Sequence, residues 1–188
     1  ETYEVSVLLD YLKVLDNARQ DLPLTAVLTS PFAGLTAAEL SVIRLAYPNQ
    51  LFYEAVEGFC SLSPEEIPET VDKRQVIQVQ GKLRKFFEVL EHFRAILPYT
   101  AIHDLLAEII DKTGYGLFIS AMPGGAQRQA NVEMLVEKAR AFEGTSYKGL
   151  FNFVRYIEQL KKYDVDYGEA SIIDEQDDTV RIMSCLLY

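Results

Sequence analysis

The sequence predicts an all-α protein, an orthogonal bundle of about eight helices. Three observations carry that prediction. Apolar residues recur at three- and four-residue spacing along most of the chain, which puts them on one face of successive helices. Pro, Gly and short polar runs separate these stretches, where helices stop and turns form. Only Thr179-Val-Arg-Ile-Met183 alternates as a strand would, and a lone strand has no sheet to join. At 188 residues and 49 % hydrophobic content, the chain can bury one full core. The expected division is a helical domain over 1–163, an acidic linker or loop over 164–178, and a strand leading away over 179–188.

Leu8, Tyr11, Leu12 and Leu15 sit at helical spacing, and Asp16-Asn-Ala-Arg-Gln-Asp21 ends that helix. A short second helix runs from Leu22 to Thr29, with Pro23 near its first position, where a missing N–H costs little. Ser30-Pro-Phe-Ala-Gly-Leu-Thr-Ala-Ala-Glu-Leu40 then reads as a turn feeding a third helix. Thr36 and Glu39 have capping-box spacing, and Leu35 and Leu40 the spacing of a hydrophobic staple. That helix runs through Ile43 to Pro48. Phe52, Ala55, Val56 and Phe59 mark a fourth. Residues 61–72 read as a loop in which Ser63-Pro-Glu-Glu66 starts a single turn.

The longest pattern follows. Leu83, Phe86, Phe87, Leu90, Phe93 and Leu97 share one face up to Pro98. Ile102, Leu105, Leu106, Ile109 and Ile110 repeat it, and Gly114 is a natural stop. Residues 115–125 read as a loop. Gly124 and Gly125 start the next helix, built on Val132, Leu135, Val136, Ala139 and Phe142 and closed by Gly144. Leu150, Phe151, Val154, Ile157 and Leu160 mark the last, ending near Tyr163.

No apolar run approaches the ~20 residues of a membrane-spanning helix. The two cysteines, Cys60 and Cys185, form neither metal spacing nor a disulfide framework, which fits a reducing, cytoplasmic setting. The first residue is Glu1 rather than Met, so the chain reads as a piece of something longer. A net charge of −10 argues against nucleic acid, but the acids are concentrated. Residues 61–72 carry four and residues 163–178 carry seven, with no base in either stretch. The rest holds 18 basic and 17 acidic residues. Within it, Lys73, Arg74, Lys82, Arg84, Lys85 and Arg94 face only Glu88 and Glu91 over 73–94. That is a local basic patch or a solvated helix face.

Reactive constellations are missing. His92 and His103 have no neighbouring ligand set in the sequence, and Ser30 and Ser184 have no evident base. Pro123-Gly-Gly-Ala-Gln-Arg128 lacks the Gly-Lys-Ser/Thr of a P-loop. The acids of 163–178 lack the spacing of a calcium loop. The start of the third helix offers unpaired N–H groups that could hold a phosphate, or is only a well-capped corner.

The order of motifs resembles a known family. The run from Leu12 to Leu35, through Asn17-Ala-Arg-Gln-Asp21 and Val27-Leu-Thr-Ser-Pro31, is similar to the AddA/RexA component of bacterial ATP-dependent helicase–nucleases. So are Lys112-Thr-Gly-Tyr115, Pro123-Gly-Gly-Ala-Gln-Arg-Gln-Ala-Asn131 and Tyr147-Lys-Gly-Leu-Phe-Asn-Phe-Val-Arg-Tyr-Ile-Glu158. Asp178-Thr-Val-Arg-Ile-Met-Ser184 resembles the approach to helicase motif V, after which Cys185-Leu-Leu-Tyr188 departs from the family pattern. The resemblance implies the 2B subdomain of a UvrD-like superfamily 1 helicase, an all-helical insertion. It places ATP, magnesium and the nuclease carboxylates elsewhere in the parent, with no cofactor, metal or catalytic residue here. It also aligns Gly34, Leu35 and Thr36 with a Gly-Ile-Gly turn that touches duplex DNA, with Thr36 replacing the second glycine and Ala33 a basic residue.

Two functions follow as expectations. One is an accessory domain contacting duplex DNA ahead of the fork in double-strand break repair and recombination. It would act through the Gly34, Leu35 and Thr36 backbone, with Lys73, Arg74, Lys82, Arg84 and Lys85 as a second patch. The other is a protein-interaction module that packs on an AddB/RexB-type partner or on the motor domains of the same chain.

Overall fold

A computed structural model describes residues 2–63, 65–66, 72–146 and 148–162. Among these residues the structure is all α, with nine α-helices, one 3-10 turn and no strand. The acidic segment and the alternating stretch 179–183 lie outside the described residues.

Helix α1 (Tyr3–Asp16) is the centre. Val5, Val7, Leu8, Leu9, Tyr11, Leu12, Val14 and Leu15 are all buried, so it is apolar nearly all round, as a helix enclosed by others must be. One set of helices, α2 (Asp21–Thr29), α3 (Ala37–Ala46), α4 (Phe52–Ser61) and α5 (Lys73–Ile96), makes contacts within itself. After it in the chain come α6 (Ile102–Lys112), α7 (Tyr115–Ser120), α8 (Gly125–Glu143) and α9 (Leu150–Lys162). Helices α2, α5, α8 and α9 all pack on α1, and α6, α7 and α8 pack on one another.

Several helix ends are capped by distant side chains rather than by neighbours. Leu51, at the N-cap of α4, has no side-chain acceptor. The Asp21 carboxylate serves instead, accepting the Phe52 and Tyr53 N–H groups at 3.1 and 3.4 Å. Buried Gln80 donates to the Phe59 and Leu62 carbonyls at the end of α4, both at 2.9 Å. Arg94 donates to the Val14 and Leu15 carbonyls at the end of α1, where a cation also suits the helix dipole. Glu143 accepts from the Ile102 N–H and the His103 ring at the start of α6. Each device satisfies a group that a helix terminus leaves unpaired.

The structure adds one element to the sequence prediction. Residues 115–125 are not a continuous loop, because Tyr115–Ser120 forms α7. Gly114, at φ 70°, ends α6 and opens α7, and Tyr115 and Ile119 bury one side of a helix too short to show a period. Helix α5 begins at Lys73, and Val76 and Val79 extend its buried face ahead of Leu83. The expected count of about eight therefore rises to nine α-helices among the described residues. Ser63 and Glu66 do close the expected single turn, with the Glu66 N–H on the Ser63 carbonyl at 3.1 Å.

Candidate functional site

The corner before α3 is built from the sequence features that mark it. The Ser30 hydroxyl, buried, donates to the Val27 carbonyl at 2.6 Å and ends α2. Gly34 takes φ 63°, a left-handed conformation that glycine adopts without strain. Phe32 turns inward between two tyrosines, 4.3 Å from the Tyr11 ring and stacked on Tyr115 at 4.8 Å. The capping box forms as predicted: the Glu39 N–H donates to Thr36 Oγ1 at 3.2 Å, and the Thr36 N–H donates to Glu39 Oε2 at 2.7 Å. Leu35 is buried and Leu40 packs against the core.

The three backbone N–H groups of the predicted turn are all engaged within the chain. Gly34 donates to the Ser30 carbonyl at 2.8 Å, Leu35 to the Leu28 carbonyl at 2.9 Å, and Thr36 to Glu39. The next two, on exposed Ala37 and Ala38, lie at the helix start, where no intrahelical partner exists.

The corner and the basic stretch of α5 meet at Lys82 and Gln78. Lys82 Nζ donates to the Gly34 carbonyl at 2.9 Å and to both oxygens of Glu39 at 2.8 and 2.9 Å. Gln78, one turn earlier, reaches Glu39 Oε1 at 3.4 Å. Partial burial pushes the Glu39 carboxyl up, but Lys82 and the Thr36 N–H outweigh it and hold it below the ordinary glutamate value. Lys73, Arg74, Arg84 and Lys85 are exposed on the same helix. None of these four has an ion-pair partner among the described residues. Gly81 lies between them in mid-helix, exposed, and a Cβ there would meet nothing. Arg94 leaves the patch, since it binds α1 and Glu91.

Sequence reasoning places Glu39 in the capping box but misses its bond to Lys82, 43 residues away. It misses Gln78 altogether. The four-residue spacing of Gln78 and Lys82 was the available signal, since it aligns both on one face of α5.

The other marked residues serve the fold. Gly124, at φ 71°, caps α8, and a Cβ on Gly125 would lie 2.1 Å from the Ser120 carbonyl oxygen. Arg128 and Asn131 reach across to α1, where Arg128 Nη1 meets Glu4 Oε2 at 2.5 Å and Asn131 Nδ2 meets Glu4 Oε1 at 2.7 Å. The glycine pair and the residues after it thus make a joint between α7, α8 and α1. Burial pushes the Cys60 thiol up to about 11, against the pull of Arg84, so it stays protonated at neutral pH. No cluster of three or more His, Cys, Asp or Glu side chains forms a metal site among the described residues. No helix among them is long and apolar enough to cross a membrane.

No protein-family model matches the chain. It is similar to the AddA component of the ATP-dependent helicase/nuclease of several bacteria. The relative from Lachnoclostridium phytofermentans is 38 % identical over 98 % of this chain and 16 % of its own length. That from Oceanobacillus iheyensis is 40 % identical over 98 % of the chain and 14 % of its own. That from Geobacillus kaustophilus is 42 % identical over 96 % and 14 %. The chain therefore spans only a small part of the relatives it matches.

Proposed function

We propose, from a chain that belongs to the AddA family of ATP-dependent helicase/nucleases, that these residues form an accessory domain contacting duplex DNA by its phosphates. The observation that carries this reading is the exposed side of α5. Lys73, Arg74, Arg84 and Lys85 lie there without ion-pair partners among the described residues, beside a corner that Lys82 ties to the same helix. Charges of one sign over the exposed face of one helix suit a phosphate backbone, which is read by charge and not by sequence. No exposed aromatic ring lies within the 73–85 stretch, so stacking on single-stranded bases has less support than duplex contact.

The corner contributes differently from the expectation drawn from sequence. With the Gly34, Leu35 and Thr36 N–H groups engaged, the available backbone donors are those of Ala37 and Ala38, and Lys82 is tied to the corner through Gly34 and Glu39. This proposal gives the domain no ATPase or nuclease step. The parent's ATP and magnesium, its role in break repair and recombination, and its motor domains belong to the longer protein.

The test is titration of a fluorescein-labelled duplex by anisotropy between about 50 and 200 mM salt, where each neutralised phosphate contributes a slope of about −0.9. Weak binding, with a dissociation constant on the order of 10⁻⁴ to 10⁻⁶ M, is expected. Arg84→Gln with Lys85→Gln should flatten the slope by roughly two. Absence of binding at low salt, or binding without a salt slope, overturns the reading.

A second reading has its own observation. Leu22, 86 % exposed, lines an open groove with Leu40, Ser41, Arg44 and Phe52. Leu45 and Leu51, next in the chain to two of these residues, are exposed as well. Exposed leucines around a groove suit a protein partner, here an AddB/RexB-type protein or the motor domains. Capture of that partner by the wild-type chain but not by Leu22→Asp, with DNA binding unchanged, supports partner packing. Loss of DNA binding in the Arg84 and Lys85 variant, with capture kept, supports the first reading.

A further inference from the structure

Of the five cations assigned to the proposed interface, Lys82 alone has an anionic partner among the described residues. That partner is unusually well supplied. The Glu39 carboxylate receives the Lys82 ammonium, the Thr36 N–H, the Thr36 hydroxyl at 3.1 Å and the Gln78 amide at 3.4 Å. An ammonium, a backbone N–H, a hydroxyl and an amide are the donors that proteins present to a nucleic-acid phosphate. Glu39 takes all four.

We infer that Glu39 acts as an internal competitor for the DNA phosphate, holding Lys82 in a neutral pair and keeping the corner's affinity low. The inference rests on the DNA-contact reading and adds a regulatory element to it. Its physical basis is that a cation adds to affinity and salt slope only when it neutralises a phosphate. Paired with Glu39, Lys82 brings no net charge to that helix face. An approaching phosphate must either displace the carboxylate or lie beside a second negative charge. The pair is only partly screened from solvent, with 31 % of the Lys82 side chain and 13 % of the Glu39 side chain exposed, so exchange needs no opening of the core.

Substitution can separate the charge from the cap. Glutamine is an accepted partner in a capping box, so Glu39→Gln keeps the Thr36 contact and removes the charge. The experiment measures binding of the labelled duplex by this 188-residue chain, with thermal melts confirming that each variant is folded. Glu39→Gln should bind several-fold tighter at low salt, roughly three- to tenfold, with a salt slope steeper by about 0.9. Adding Lys82→Gln should return both values to near wild type. Glu133→Gln, which removes an exposed acid from α8, should change neither slope nor affinity beyond about twofold.

Each alternative outcome is distinct. If Glu39→Gln binds like wild type while the Arg84 and Lys85 variant weakens, the competitor idea fails and DNA contact stands. If the gain survives Lys82→Gln, or Glu133→Gln matches it, general charge and not release of Lys82 is responsible, and the inference is overturned. If no variant binds at low salt, the DNA-contact reading fails with it.

Discussion

Two glutamates in this bundle have the same kinds of partner and opposite settings. Glu4 binds a cation, Arg128, and a side-chain amide, Asn131. Glu39 binds a cation, Lys82, and a side-chain amide, Gln78. Glu4 is 1 % exposed and links α1 to α8 in the core. Glu39 is only partly buried, beside a Lys82 side chain that is 31 % exposed, and links α3 to α5. The chemistry alone therefore does not say what such a cluster is for. A sealed carboxylate that loses its cation is left as an uncompensated buried charge, which is costly. A partly exposed carboxylate that loses its cation meets water, and the pair contributes little to stability. The first arrangement fixes a fold. The second can exchange one partner for another.

Substitutions should break this comparison in order of size. Arg128→Ala should cost about 3–5 kcal/mol, because Glu4 stays buried without its cation; urea unfolding measures the loss. Gly125→Ala should cost about 3 kcal/mol through backbone overlap with Ser120, read by the same method. Glu39→Ala should cost about 1 kcal/mol, mostly from the lost half of the capping box, and Glu39→Gln should cost less. A loss at Glu39→Ala as large as at Arg128→Ala would erase the distinction between the two sites. Tyr11→Phe should gain about 1 kcal/mol, since the buried Tyr11 hydroxyl has no partner among the described residues. Gly81→Ala should gain up to about 1 kcal/mol, because glycine is a poor mid-helix residue and the added methyl meets nothing.

The pH dependence sharpens the same contrast. Burial pushes the Glu4 carboxyl up, but Asn131, its own backbone N–H, Thr2 and Arg128 together hold it below the ordinary glutamate value. A depressed folded pKa means stability that is present above the unfolded value and is lost as pH falls through the folded one. The stability difference between wild type and Glu4→Gln should therefore be largest near neutrality and shrink with acidification below the ordinary glutamate range. A difference that stays constant down to strongly acidic pH would show that Glu4 acts by shape and not by charge.

Local pattern made much of the fold legible. The apolar spacing in α1, α6 and α9, the capping box at Thr36 and the double glycine before α8 all lie within a few residues of what they determine. Helix α7 was hidden because Tyr115 and Ile119 are a single repeat, and Leu117 and Phe118 between them are exposed. The candidate site was legible as two separate stretches, the corner and the basic run. Their union at Lys82 was not, because nothing in a linear reading sets Gly34 beside a lysine 48 residues on. The same distance hid Arg94, which reads as part of a basic run and serves as a cap for α1.

Phe32 gives the corner a mechanical character. Its ring is held between Tyr11 of α1 and Tyr115 of α7, and Tyr115 in turn donates its hydroxyl to the Glu4 carbonyl at 2.9 Å. A load applied at the corner therefore does not bend a free loop. One aromatic ring ties the corner to both the central helix and α7.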